Sequence, residues 1–269
     1  RATTRLAGRV AGGRVATGAL LLAEGDSWFD YPFADVLGKL QDMFGYSVES
    51  VAKAGDRVED MAYDDGQYEK LLRKFEQLAA QGRTPQAILL SGGGNDIAGG
   101  ELATLLNHVD SGLPALSEGM LAGIFDERLR AAMVRLIGTV TGLYEAHFGD
   151  KPQVFIHGYD YPVPDARGYM GGGGPFPGPW LEPSFRRRGY GDLAINTRLM
   201  RQVMDRFNAM AKNVAATPGL EHVTYVDLRG LLSAELAGKA YQLSWANELH
   251  PTRPGFEVIA AKFHEVLSG

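Results

Sequence analysis

Ala19-Leu20-Leu21-Leu22-Ala23-Glu24-Gly25-Asp26-Ser27-Trp28 is a short, nearly continuous apolar run that stops on a Gly-Asp-Ser turn. Such a run reads as a strand buried on both faces, the habit of parallel sheets. A turn of this kind lifts a serine hydroxyl out of the sheet edge, where it can meet a substrate. Four more runs have the same look, at 47–52, 87–91, 154–158 and 223–227, each short and followed by Gly, Asp or Asn. Between them the apolar residues recur at helical spacing over 33–44, 68–80, 125–148, 195–214 and 254–267. The last of these carries Pro254 in its first turn, where proline is tolerated. The β-α-β-α alternation predicts an α/β fold, a single doubly wound parallel sheet with right-handed crossovers. In such sheets ligands gather outside the carboxyl ends of the strands. Ser27, Gly55, Asn95 and the loop after His157 all fall at those ends.

Composition narrows the function classes. The chain has 269 residues, 45% of them hydrophobic, enough for one large core, and it is read as one domain over 1–269. A net charge of −5 argues against a nucleic-acid backbone as partner. No apolar run approaches the roughly 18 residues of a membrane span. With no cysteine, thiolate nucleophiles, disulfides and thiolate metal sites are excluded. No His or carboxylate set has ligand spacing, so neither a metal nor a cofactor is expected. Residues 1–17 are rich in Arg, Gly and Ala and lack the apolar centre of a secretory signal. The chain starts at Arg1 rather than Met, so a removed leader stays open, as do compartment and oligomeric state.

The chemistry sits in four short blocks. A serine is a poor nucleophile unless a base lies within hydrogen-bond reach and a third group orients that base. Ser27 follows the first strand, and His250 precedes Pro251 and the final helix. After the second strand comes Lys53-Ala54-Gly55-Asp56, where a glycine lets a backbone N–H face the site. After the third comes Ser91-Gly92-Gly93-Gly94-Asn95-Asp96, whose Asn95 amide can donate to an oxyanion. Each signal alone has a plain structural reading, as a turn, a cap or a core histidine. Their order, one behind each strand, is what is specific.

The four blocks together resemble those of the SGNH hydrolase superfamily, the GDSL-like lipases and esterases. They match as Gly25-Asp26-Ser27, Gly55, Gly93-Gly94-Asn95-Asp96 and His250-Pro251, over nearly the whole chain. The resemblance implies a flavodoxin-like three-layer α/β/α sandwich on a five-stranded parallel sheet. It implies Ser27 as nucleophile and His250 as general base. The Ser27 and Gly55 N–H groups and the Asn95 side chain would form the oxyanion hole. The expected activity is hydrolysis of short- to medium-chain acyl esters through an acyl-enzyme, with a small-molecule ester as partner. A carbohydrate O-deacetylase, a thioesterase and a lysophospholipase are the alternatives on the same scaffold.

One position departs from the family. The residue three before the histidine is ordinarily Asp, and here it is Asn247. Its amide oxygen, the neighbouring Glu248 or a backbone carbonyl would have to orient the imidazole, with Glu248 ranked behind the other two. A binding module without turnover is the rival from another class. A phosphate binder built on the Gly92–Gly94 turn is disfavoured, because no Gly-Lys-Ser/Thr follows it. Asp26 and Asp96 are expected to cap helices or brace turns, and Asp30 and Tyr31 to shape the pocket mouth. His157 is expected to be structural, and Arg186-Arg187-Arg188 a solvated run. Residues 159–191 are dense in Gly, Pro and aromatics, cannot hold a regular helix, and form a lid-like loop or an irregular excursion. Trp28, Tyr159 and Trp180 are the candidates for contact with substrate.

Overall fold

The computed structural model describes residues 15, 16, 18–171 and 176–269. The reading of the first 17 residues therefore falls, but for two of them, outside the described residues, as do 172–175 of the long loop. Five strands, β1 (Leu20–Gly25), β2 (Ser47–Ser50), β3 (Ala87–Ser91), β4 (Gln153–His157) and β5 (Val223–Val226), form one all-parallel sheet in the order β2-β1-β3-β4-β5. Each coincides with a run read from the sequence. The inner strands are the most apolar and the most enclosed: β3 is buried throughout.

The chain runs outward from β1 to β2, then crosses back to β3, so the order reverses between β1 and β3. That reversal opens a crevice at the carboxyl ends of the two strands. Ser27 and Asn95 follow those two ends directly. Close approach there depends on Gly25, which pairs with Ser91. A Cβ on Gly25 would fall 2.7 Å from the Ser91 Cβ and 2.8 Å from its carbonyl oxygen, so any side chain would push the Gly-Asp-Ser turn off its register.

The helices are α1 (Val36–Phe44), α2 (Val58–Tyr63), α3 (Asp65–Ala80), α4 (Gly94–Ile97), α5 (Leu102–Leu105), α6 (Glu118–Leu121), α7 (Arg130–Phe148), α8 (Glu182–Arg187), α9 (Leu193–Ala215) and α10 (Arg253–Ser268). They cover both faces of the sheet: α1 packs on α10, while α2, α3, α7 and α9 form the other layer. The three-layer α/β/α sandwich is the fold expected from the sequence.

Boundaries moved where polar caps decide them. The helix expected from residue 33 starts at Val36, because the Asp35 carboxylate accepts the Gly38 N–H at 2.7 Å. Asp64 caps α3 in the same way, through the Gln67 N–H at 3.0 Å. The helix expected from residue 125 continues a turn that begins at Glu118, with Ala122–Leu129 wound more widely as a π-helix.

The long loop needs a correction, since it does hold a regular helix, α8. Pro183 lies in the first turn of α8, where its missing N–H costs nothing. The buried Glu248 carboxylate accepts the N–H groups of Trp180, Leu181 and Glu182 at 2.6–2.9 Å, and that of Ala166 at 3.0 Å. A carboxylate at a helix N-terminus is favourable both as acceptor and as charge. Glu248 thus ties both limbs of the loop to the segment that carries His250.

Candidate active site

Ser27 stands on the turn after β1, partly exposed, above a buried brace. The Asp26 carboxylate accepts the Trp28 N–H at 3.0 Å and the Ser91 hydroxyl at 2.7 Å, and the Tyr159 hydroxyl also donates to it. Burial and the neighbouring Asp26 raise the Tyr159 phenol well above its usual range, so it stays a donor. Asp26 therefore braces the turn, as expected of it.

The turn brings the Ser27 Oγ to 2.7 Å from His250 Nε2. The other ring nitrogen, Nδ1, lies 3.0 Å from Asn247 Oδ1. That oxygen also accepts the backbone N–H groups of Leu249 and His250, each at 2.9 Å. Three donors converge on one atom, so that atom must be the amide oxygen and not the nitrogen. Asn247 Nδ2 donates instead to the Tyr31 hydroxyl at 3.0 Å. The amide is thus locked to accept from Nδ1–H, which leaves Nε2 unprotonated and facing the serine. Of the three arrangements open in the sequence, the Asn247 amide is the one present. Glu248 is spent on the loop.

An amide fixes the tautomer but brings no charge. Burial pushes the His250 imidazole down to about 3, and no carboxylate partner opposes that shift. One ring compensates in part. Tyr31 stacks on His250 with centroids 4.0 Å apart and planes 14° from parallel, a placement that favours a positive imidazole. Sequence patterning pointed Tyr31 to the pocket mouth; only the folded chain lays it against the His250 ring.

Gly55 and Asn95 complete the cluster, and both line an open cavity of about 370 Å³ with Ser27 and His250. Gly55 has φ +92°, a conformation that side chains rarely adopt, although a Cβ there would meet nothing within 4 Å. Asn95 Nδ2 donates one hydrogen to the Asp56 carbonyl at 3.0 Å, which pins the amide and leaves its second hydrogen for the cavity. Among the described residues neither the Ser27 N–H nor the Gly55 N–H has an acceptor. These are the donors an oxyanion hole requires.

The remaining candidates divide. Trp180 lines the same cavity and meets His250 edge to face at 5.6 Å. Trp28 and Tyr159 are almost wholly buried and line a smaller inner cavity beside Ser27. The Trp28 indole N–H donates to the Leu249 carbonyl at 3.0 Å, which ties the Ser27 turn to the His250 segment. Asp96 caps α2 through the Val58 N–H at 2.9 Å. His157 is buried, stacked behind Trp28, with Nδ1 2.7 Å from the Gly158 carbonyl, and burial lowers its pKa. Arg186 is exposed, and Arg188 Nε donates to the Ala103 carbonyl at 2.8 Å, away from the site. Among the described residues no group of three or more His, Cys, Asp or Glu could hold a metal ion, and no helix is long and apolar enough to cross a membrane.

No protein-family model matches the chain, and no curated protein matches it significantly. Solved structures do. A protein from Parabacteroides merdae, provisionally named a GDSL-like lipase, aligns over 94% of this chain and 98% of its own, with a TM-score of 0.53 and 12% identity. A variant of an acetyl-xylooligosaccharide esterase from Geobacillus stearothermophilus aligns over 95% and 97%, with a TM-score of 0.52 and 17% identity. An SGNH hydrolase from Slackia heliotrinireducens, so named provisionally, aligns over 93% and 99%, at 0.50 and 15%. At such identities the likeness is one of fold, and it extends over almost the full length of each chain. The chain has the fold of the SGNH, GDSL-like hydrolases.

Proposed function

We propose that this protein is a serine-dependent carboxylic-ester hydrolase acting on short- to medium-chain acyl esters. The observation that carries the proposal is the continuous hydrogen-bonded path from Ser27 Oγ through the His250 ring to Asn247 Oδ1. The names of the structural neighbours, an esterase and a lipase among them, agree with it.

In this reading Ser27 Oγ attacks the acyl carbonyl while His250 Nε2 takes the hydroxyl proton. The carbonyl oxygen becomes an anion held by the Ser27 N–H, the Gly55 N–H and the Asn95 amide. As the tetrahedral species collapses, the C–O bond to the alcohol breaks and His250 hands its proton to the leaving oxygen. Water then attacks the acyl-serine, its proton passing to the same nitrogen. The second collapse frees the carboxylic acid and returns the proton to Ser27. Asn247 holds the ring in the productive tautomer throughout, and Tyr31 faces the charge that forms on it.

Initial-rate hydrolysis of p-nitrophenyl acetate and butyrate, with Ser27→Ala in parallel, tests this. Turnover that disappears in the variant is the expected result. Equal rates in folded wild type and variant would refute a serine mechanism, and binding of an ester without turnover would favour a binding module.

A further inference from the structure

Two cavities meet at Ser27 and Asn95, and they differ greatly in size. The outer one, of about 370 Å³, is lined by His250 and Gly55; the inner one, of about 40 Å³, is lined by neither. The leaving alcohol must receive its proton from His250 Nε2, so it has to lie on the side that His250 lines. The acyl group is then left with the inner cavity. One water-sized group needs roughly 10–15 Å³ in this measure, so the inner space holds about three. The outer cavity, in contrast, shares Tyr31, Pro32 and Tyr169 with a neighbouring one of about 360 Å³. The two halves of the ester therefore meet very different limits.

We infer that the enzyme selects acetate and propionate esters of bulky alcohols, and that Met200 and Met204 set the acyl limit. The inference rests on the serine-hydrolase reading and narrows it. Both methionines belong to α9, are 1% and 3% exposed, and line the inner cavity. Trp28 and Trp245 form rigid parts of the same wall, whereas the two methionines come from a helix that carries none of the reacting groups. A methionine bends at low cost, which admits a third acyl carbon but not a long chain. Each methylene beyond that is expected to lower kcat/KM by about tenfold or more.

The test is a p-nitrophenyl ester series from acetate to octanoate, run on wild type, Met200→Ala and Met204→Ala. Fluorophosphonate labelling of Ser27 is measured on the same samples. The expected result is a steep fall beyond propionate in the wild type. Each variant should raise the hexanoate-to-acetate ratio by about tenfold or more. Should the alanine variants not fold, Met204→Val makes a shallower cut and a smaller shift of the same sign. A wild type that cleaves octanoate as fast as acetate overturns the inference while labelling of Ser27 leaves the hydrolase reading standing. An unchanged ratio in folded variants overturns the role of the methionines. Absence of both turnover and labelling overturns the inference together with the reading beneath it.

Discussion

Replacing Asn247 by Asp probes the least usual feature of the site. The substitution is nearly isosteric. One carboxylate oxygen can keep the Leu249 and His250 N–H groups and the ring N–H, all within 3.0 Å of Asn247 Oδ1. The other takes the place of Nδ2 opposite Tyr31, whose hydroxyl turns from acceptor to donor. What changes is one unit of charge beside the imidazole. A pair of unit charges about 4 Å apart, at an effective dielectric constant of about 20, interacts by about 4 kcal/mol, which is about three pKa units. The His250 pKa, about 3 with the amide present, should rise to about 6 with the carboxylate. Only the neutral ring accepts a proton from Ser27. The wild type should therefore keep its kcat/KM down to a pH near 3, as far as the fold survives, and the variant should lose activity below about 6. On the plateau the same interaction bounds the gain in rate at about 10³-fold, since the tautomer is already correct. The assay is p-nitrophenyl acetate hydrolysis from pH 3 to 9 at constant ionic strength, with circular dichroism at each pH. Acid limbs that coincide near 6.5 in both proteins would refute the argument.

Asn95→Ala should lower kcat by about 10²–10³, with a smaller change in KM, as steady-state kinetics would show. Glu248→Gln leaves at least two of the four N–H groups now held by the carboxylate without an acceptor. A loss of about 2–5 kcal/mol is expected, or a Tm about 5–15 °C lower by calorimetry. Glu24 is fully buried in β1, and burial raises its carboxyl to about 8. Its folded pKa lies above its unfolded one, so its protonated form contributes stability below about 4.5 that is lost as pH rises through 8. Glu24→Gln should remove that dependence while keeping the Gly25 N–H bond, so denaturant midpoints of variant and wild type should diverge between pH 5 and 9 in the variant's favour.

The sheet was legible because its inner strands are buried on both faces. Leu20–Gly25 and Ala87–Ser91 are almost wholly enclosed, so their sequences are nearly continuous apolar runs, interrupted in the first only by the buried Glu24, that end where the backbone leaves the sheet. Ser27 and Asn95, the proposed nucleophile and oxyanion donor, stood out because each comes soon after such an end, whereas His250 lies well beyond the end of β5. What escaped the sequence depends on contacts between distant segments. Helix α8 forms in a proline-rich stretch because Glu248, more than 60 residues further on, supplies its acceptors. Trp28 is aromatic and next to Ser27, yet it serves as a tie from the turn to Leu249. The stacking of Tyr31 on His250 joins residues 219 positions apart, and no local pattern encodes it. Asn247 was visible as a departure, but the direction of its amide is fixed only by the three donors around its oxygen.

The most direct test of the central claim is the site of reaction itself. Wild-type protein treated with a fluorophosphonate, digested and mapped by mass spectrometry, should carry one adduct, on Ser27, and His250→Ala should slow its formation by at least about 10²-fold. An adduct on another serine, or a folded wild type that takes none, would contradict the assignment of Ser27 and His250 as nucleophile and base.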